Sequence, residues 1–134
     1  MIQFYINVTN RKKIKMKILV YGNEKFADYN TFMRAVIVAI DGKIDNRLEI
    51  YSAGPYKINA FTAEFVNRSE NFLKQKKIKS RFFKVLKRDV VENFDKYEFD
   101  AVIYLSTSGD KSHLFDTIIK DAEDRDIDVS IYRS

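Results

Sequence analysis

Strand-length apolar runs alternate with helix-length segments along this chain, and that alternation constrains its fold more than any other feature. Lys17-Ile18-Leu19-Val20-Tyr21 runs into Gly22-Asn23, and Asp100-Ala101-Val102-Ile103-Tyr104-Leu105 runs into a polar loop. Both read as strands buried on two faces. Shorter strands are expected at Leu48 to Tyr51, Arg81 to Val85 and Asp128 to Tyr132. Asp28 is placed to cap a helix through Thr31 to Ile40 that stops near Asp41-Gly42. A second helix is expected from Ile58 to about Lys77, where Phe61, Phe65, Phe72 and Leu73 recur at roughly helical spacing. Asp89 to Tyr97 reads as a short helix and His113 to Arg125 as the last one. Parallel strands joined by helices of this length need right-handed crossovers. The expected fold is therefore α/β, a Rossmann-like three-layer sandwich with a mainly parallel five-stranded sheet.

With 134 residues the chain has room for one hydrophobic core. The domain is expected to span 16–134, with residues 1–15 as an N-terminal extension, a basic arm or an edge strand over Gln3 to Val8. No apolar run approaches the ~20 residues that span a bilayer, and the first residues lack the apolar stretch of a secretory signal. A cytoplasmic protein with no membrane partner is the expectation. The absence of cysteine excludes disulfides and thiolate chemistry, and a single histidine argues against a His-rich metal site. On that location the glycosylation patterns at Asn7 and Asn67 are chance matches.

In an open parallel sheet, ligands bind beyond the carboxyl ends of the strands, where the strand order reverses. Three loops qualify, each ahead of a helix start whose free N–H groups favour anions. The first holds Gly22, Asn23, Lys25 and Phe26, with glycine for close approach and lysine as a counter-charge. The second holds Ser52, Ala53, Gly54, Tyr56, Lys57 and, just inside the next helix, Asn59. The third holds Ser106, Thr107, Ser108, Gly109 and Lys111, a composition suited to phosphate or ribose hydroxyls. His113, beside a helix start, reads more readily as a surface or capping residue than as a catalyst.

The run from Lys17 to Tyr29, with Gly22-Asn23-Glu24-Lys25-Phe26 followed by Asp28, resembles the opening of the YspA-like (DUF2493) branch of the SLOG superfamily, relatives of the LOG and DprA proteins. Ser52-Ala53-Gly54-Pro55-Tyr56-Lys57-Ile58-Asn59 is similar to that family's Ser-Gly-Gly-Ala-Arg-Gly-Ala-Asp segment, and the resemblance covers nearly everything after Met16. It implies a nucleotide-derived ligand, such as an ADP-ribose or NAD-related molecule, and a homodimer. Where the family pattern has a second glycine, an arginine, a third glycine and an aspartate, this chain has Ala53, Tyr56, Lys57 and Asn59. The LOG-type Pro-Gly-Gly-x-Gly-Thr-x-x-Glu motif, with its carboxylate, is missing between Ser106 and Leu114. These departures move the expectation from enzyme to divergent binder, with no cofactor required beyond a bound nucleotide.

Two alternatives accompany that reading. A nucleotide N-glycosidase-type hydrolase would draw its carboxylate from Asp28, Glu64 or Asp110. An interaction module, phage-encoded and acting on a host factor, would use Lys74 to Arg88, which holds eight basic residues and no acidic one, to meet nucleic acid or a host protein. A formal net charge of +5 is compatible with any of these anionic partners.

Overall fold

The computed structural model describes residues 13–69, 73, 75 and 77–134. Its five strands are β1 (Lys13–Gly22), β2 (Ile44–Ser52), β3 (Lys79–Lys84), β4 (Ala101–Ser106) and β5 (Asp128–Arg133). They form one sheet in the order β3-β2-β1-β4-β5, and every neighbouring pair is parallel. The α/β, Rossmann-like expectation holds, with a fully parallel sheet. The order matters for function. From β1 the chain builds outward through β2 to β3, then returns to place β4 on the other side of β1, so the crevice opens between β1 and β4.

Helices α1 (Tyr29–Ile40) and α2 (Tyr56–Arg68) pack on one face. There Phe32, Ala35, Val36, Ile58 and Phe65 bury against Ile18, Val20, Leu48, Ile50 and Leu105. Short helices α3 (Lys87–Glu92) and α4 (Phe94–Tyr97) and helix α5 (Thr117–Asp124) cover the other face. Val90, Phe94, Ile118, Ile119 and Ala122 bury there against Leu19, Tyr21, Val102 and Tyr104. Alternate residues of the central strands thus feed two cores, which is why Ile18 to Tyr21 of β1 and Ala101 to Leu105 of β4 are apolar without interruption.

The elements differ from expectation in instructive places. Strand β1 starts at Lys13, ahead of the boundary expected at residue 16, and β2 starts at Ile44 rather than Leu48. Their polar amino-terminal halves pair with each other, Lys15 opposite Arg47. The edge strand expected over Gln3 to Val8 lies outside the described residues, as do parts of the Ile58 to Lys77 helix beyond Arg68. The helix expected over Asp89 to Tyr97 breaks at Asn93 (φ −127°, ψ 33°), giving α3 and α4. The helix expected from His113 is instead a 3-10 turn over Ser112–Phe115, after which Asp116 starts α5.

Among the described residues no helix is long and apolar enough to cross a membrane.

Candidate functional site

Gly22 closes β1 where β1 and β4 approach most tightly. A Cβ built on it would lie 2.1 Å from the Leu105 carbonyl oxygen, so only glycine lets the strands meet there. The Asn23 N–H then donates to that same carbonyl at 2.9 Å, fixing the loop that leaves the strand. Beyond these strand ends lies a cavity of about 560 Å³. Gly22, Asn23, Glu24 and Lys25 line it from the first loop. Lys87 and Val91 of α3 line it from the side, with Tyr104, Ser112, Phe115, Asp116 and Thr117 completing the wall.

Two tyrosine–aspartate pairs stand behind this wall. Tyr21 and Tyr104, the last inward-facing residues of their strands on the α5 side, meet edge to face at 5.2 Å between centroids. The Tyr21 hydroxyl donates to Asp116 Oδ1 at 2.7 Å. The same carboxylate oxygen accepts the N–H groups of Ile118 and Ile119, capping α5, while Oδ2 meets Lys87 Nζ at 3.2 Å. Burial pushes the Tyr21 phenol far above its ordinary value, and the charge and hydrogen bond of Asp116 push it further. It remains a neutral donor across the accessible pH range.

Asp110 organises the third loop. Its carboxylate accepts from the Tyr104 and Ser106 hydroxyls at 2.9 and 2.8 Å, and from the Ser112 N–H and hydroxyl at 3.0 and 2.7 Å. Burial acts to raise its pKa, but the Ser112, Ser106 and Asn23 hydrogen bonds to the charged form outweigh it. Asp110 is held well below the usual carboxylate range, as an anion committed to shaping its own loop.

The expected site residues divide sharply. Gly22, Asn23 and Lys25 line the cavity, whereas Phe26 is fully buried in the core among the α1 and α2 aromatics. Ser52 and Ser106 are also fully buried, and Ala53 nearly so. The second loop does not line the cavity. Asn59 accepts from the Ser52 hydroxyl and the Gly54 N–H, and the Gly54 carbonyl in turn accepts from the Gly22 N–H. That loop braces the first one, while Tyr56 and Lys57 face solvent. Thr107, Ser108, Gly109 and Lys111 lie in the third loop outside the cavity lining.

Helix starts also differ from the anion-binding expectation. Asp28 accepts from the Thr31 N–H and hydroxyl, and Asp116 occupies the first N–H groups of α5. Aspartates thus close the starts of α1 and α5, and the cations at the cavity are Lys25 and Lys87, beside the carboxylates of Glu24 and Asp116. Of the candidate carboxylates, Asp28 is that cap, Glu64 pairs with Arg68 at 2.7 Å, and Asp110 sits in its loop network. None of the three lines the cavity. His113 lies outside it too, with Nδ1 buried and without a hydrogen-bond partner among the described residues.

No family model and no curated protein matches this chain. Among solved structures it is similar to a universal stress protein in complex with cAMP, at 17% identity over 88% of this chain and 97% of that one, with a TM-score of 0.43.

Lys87, Phe115 and Asp116 were not among the expected ligand residues. Asp116-Thr117 ahead of Ile118, Ile119 and Ala122 is a cap followed by an apolar helical face, and that pattern was the available signal. Lys87 carried none, because only the crossover from β3 to β4 brings α3 to the crevice.

Proposed function

We propose that the crevice between the ends of β1 and β4 binds a nucleotide-derived small molecule without turning it over. The observation that carries this reading is Phe115. Its ring is 88% exposed on the rim of the same cavity that Lys25 and Lys87 line. A flat apolar ring beside two ammonium groups suits a ligand with an aromatic base and an anionic group, the base stacking on Phe115 and the anion meeting the lysines. Asn23 and Ser112 supply polar groups for ribose hydroxyls.

Binding rather than turnover is supported by the commitment of Asp116 and Asp110, although the exposed carboxylate of Glu24 also lines the cavity. Asp116 is already engaged by Tyr21, Ile118, Ile119 and Lys87, and its side chain is only 7% exposed. A general acid or base must reach the reacting atom with a free site for the proton. Asp116 lines the cavity without such a free site, and Asp110 is committed to its loop. The wider assignment, a divergent SLOG-like binder, is supported by the first loop, Gly22 to Lys25, which lines the cavity. In this reading the altered second loop serves as a brace.

The reading is tested by nuclear magnetic resonance of labelled protein titrated with AMP, ADP-ribose and NAD. Expected are shifts concentrated at Asn23, Lys25, Lys87 and Phe115, with no release of free base on prolonged incubation. Shifts that avoid these residues, or base release, would contradict it.

A further inference from the structure

At the opposite end of the sheet, no described helix covers the face that carries α3 and α4 over three strands. Helix cover ends at an aromatic layer in which Tyr51 stacks on Phe83 at 4.9 Å and meets Tyr97 and Phe99 edge to face. One register step toward the amino ends, the same face presents Glu49 beside Arg81, and one step further Arg47 beside Lys79. Lys15 of β1 is paired with Arg47 in the sheet, adding a cation on the third strand. Arg47, Lys79 and Arg81 are exposed and border a shallow hollow of about 280 Å³. Lys15 meets Glu49 at 3.4 Å, but Arg47, Lys79 and Arg81 have no ion-pair partner among the described residues.

We infer that this three-strand face binds the phosphate backbone of a nucleic acid, through Lys15, Arg47, Lys79 and Arg81. The cations Lys15, Arg47, Lys79 and Arg81, with Lys17 lying over Tyr51, outnumber the carboxylates of Glu49 and of Asp100 beside Lys17, and cations two residues apart on a strand sit ~7 Å from one another, a row suited to a repeating anion. The chemistry of the surroundings selects among polyanions. Among the described residues, the exposed apolar side chains Ile37, Val38, Leu86, Leu114 and Phe115 lie away from this face, and Ile14 neighbours it at Lys15. An anionic membrane surface is held by apolar side chains inserted among the lipids, and a protein interface by an apolar centre. A nucleic-acid backbone needs neither. The basic stretch from Lys74 to Arg88 is thereby divided, since Lys79 and Arg81 belong to this face while Lys87 lines the cavity at the other end of the sheet.

The test is fluorescence anisotropy with a labelled single-stranded RNA of about 30 nucleotides, titrated with full-length protein at salt from about 50 to 200 mM. The wild type is expected to bind at low salt with a Kd of roughly 1–100 μM and a steep loss of affinity as salt rises. The triple variant Arg47→Gln, Lys79→Gln, Arg81→Gln is expected to bind about tenfold or more weakly, with the logarithmic salt slope reduced by about 2. The cavity variant Lys25→Ala is expected to bind RNA as the wild type does, which separates this proposal from the nucleotide site. Circular dichroism confirms that each variant is folded. Should the triple variant fail to fold, the single Arg81→Glu exchange serves, with an expected loss of severalfold. Absence of wild-type binding at low salt would overturn the inference, as would undiminished binding by the variants. Vesicles of phosphatidylserine and phosphatidylcholine provide the other arm. Tighter binding to them than to RNA, lost in the same variants, would move the face to a lipid partner and overturn the assignment.

Discussion

The Tyr21 hydroxyl hydrogen-bonds Asp116 Oδ1 at 2.7 Å, tying the end of the central strand to the cap of α5 across 95 residues of chain. One carboxylate therefore seals a helix start, satisfies a buried phenol and holds Lys87 at the cavity wall. Removing the phenol or removing the carboxylate should have unequal effects. Tyr21→Phe deletes one hydrogen bond and leaves Asp116 its other partners, so a loss of about 1 kcal/mol is expected. Asp116→Ala removes the cap and strands a buried hydroxyl, and about 2–4 kcal/mol is expected. Urea denaturation of both variants measures the difference. Equal losses would mean that the carboxylate does not integrate these contacts.

Gly22→Ala tests the close approach of β1 and β4. The added methyl meets the Leu105 carbonyl, a backbone atom held in the sheet, and cannot be relieved by a rotamer change. Separation of the two central strands should cost about 2–3 kcal/mol, at the upper end of overpacking effects. Thermal unfolding checks this. A neutral result would show that the strand ends part freely at the crevice.

Acid should loosen the third loop through Asp110. Its folded-state pKa lies below the ordinary value of 3.8, so it contributes stability that is complete above that value and is lost as pH falls through the folded value. The urea midpoint of the wild type is expected to fall below about pH 4 more steeply than that of Asp110→Asn, while above about pH 5 the wild type is the more stable. Parallel midpoints across this range would remove Asp110 from the account.

Phe115→Ala should separate binding from folding. The ring is almost wholly exposed, so stability should change by no more than about 0.5 kcal/mol, whereas nucleotide affinity should fall about tenfold. Thermal unfolding with and without AMP measures both in one experiment.

Much of this architecture was legible in the chain. Continuous apolar runs such as Ala101 to Leu105 arise because both faces of a central parallel strand are covered, and Asp28 announced its helix by the cap it makes with Thr31. What escaped was set by tertiary placement. Lys13 to Met16 and Ile44 to Arg47 carry few strand signals, yet pair because β1 and β2 continue past the helical layer. Phe115 and Asp116 were hidden inside an apparent single helix, since a 3-10 turn leading into an α-helix keeps much the same apolar spacing. The hydroxyl-rich third loop looked like a phosphate cradle, whereas Ser106 and Ser112 donate inward to Asp110.

In the proposed site Lys25, Lys87 and Phe115 form one nucleotide-binding wall. Isothermal titration calorimetry with AMP, ADP-ribose and NAD tests it most directly, using the wild type and a Lys25→Ala, Phe115→Ala double variant. At least one of these ligands is expected to bind the wild type with a Kd of about 100 μM or tighter, near −5.5 kcal/mol, and the double variant to lose at least about tenfold. No heat of binding from any of the three at millimolar concentration, or undiminished binding by a folded double variant, would contradict it.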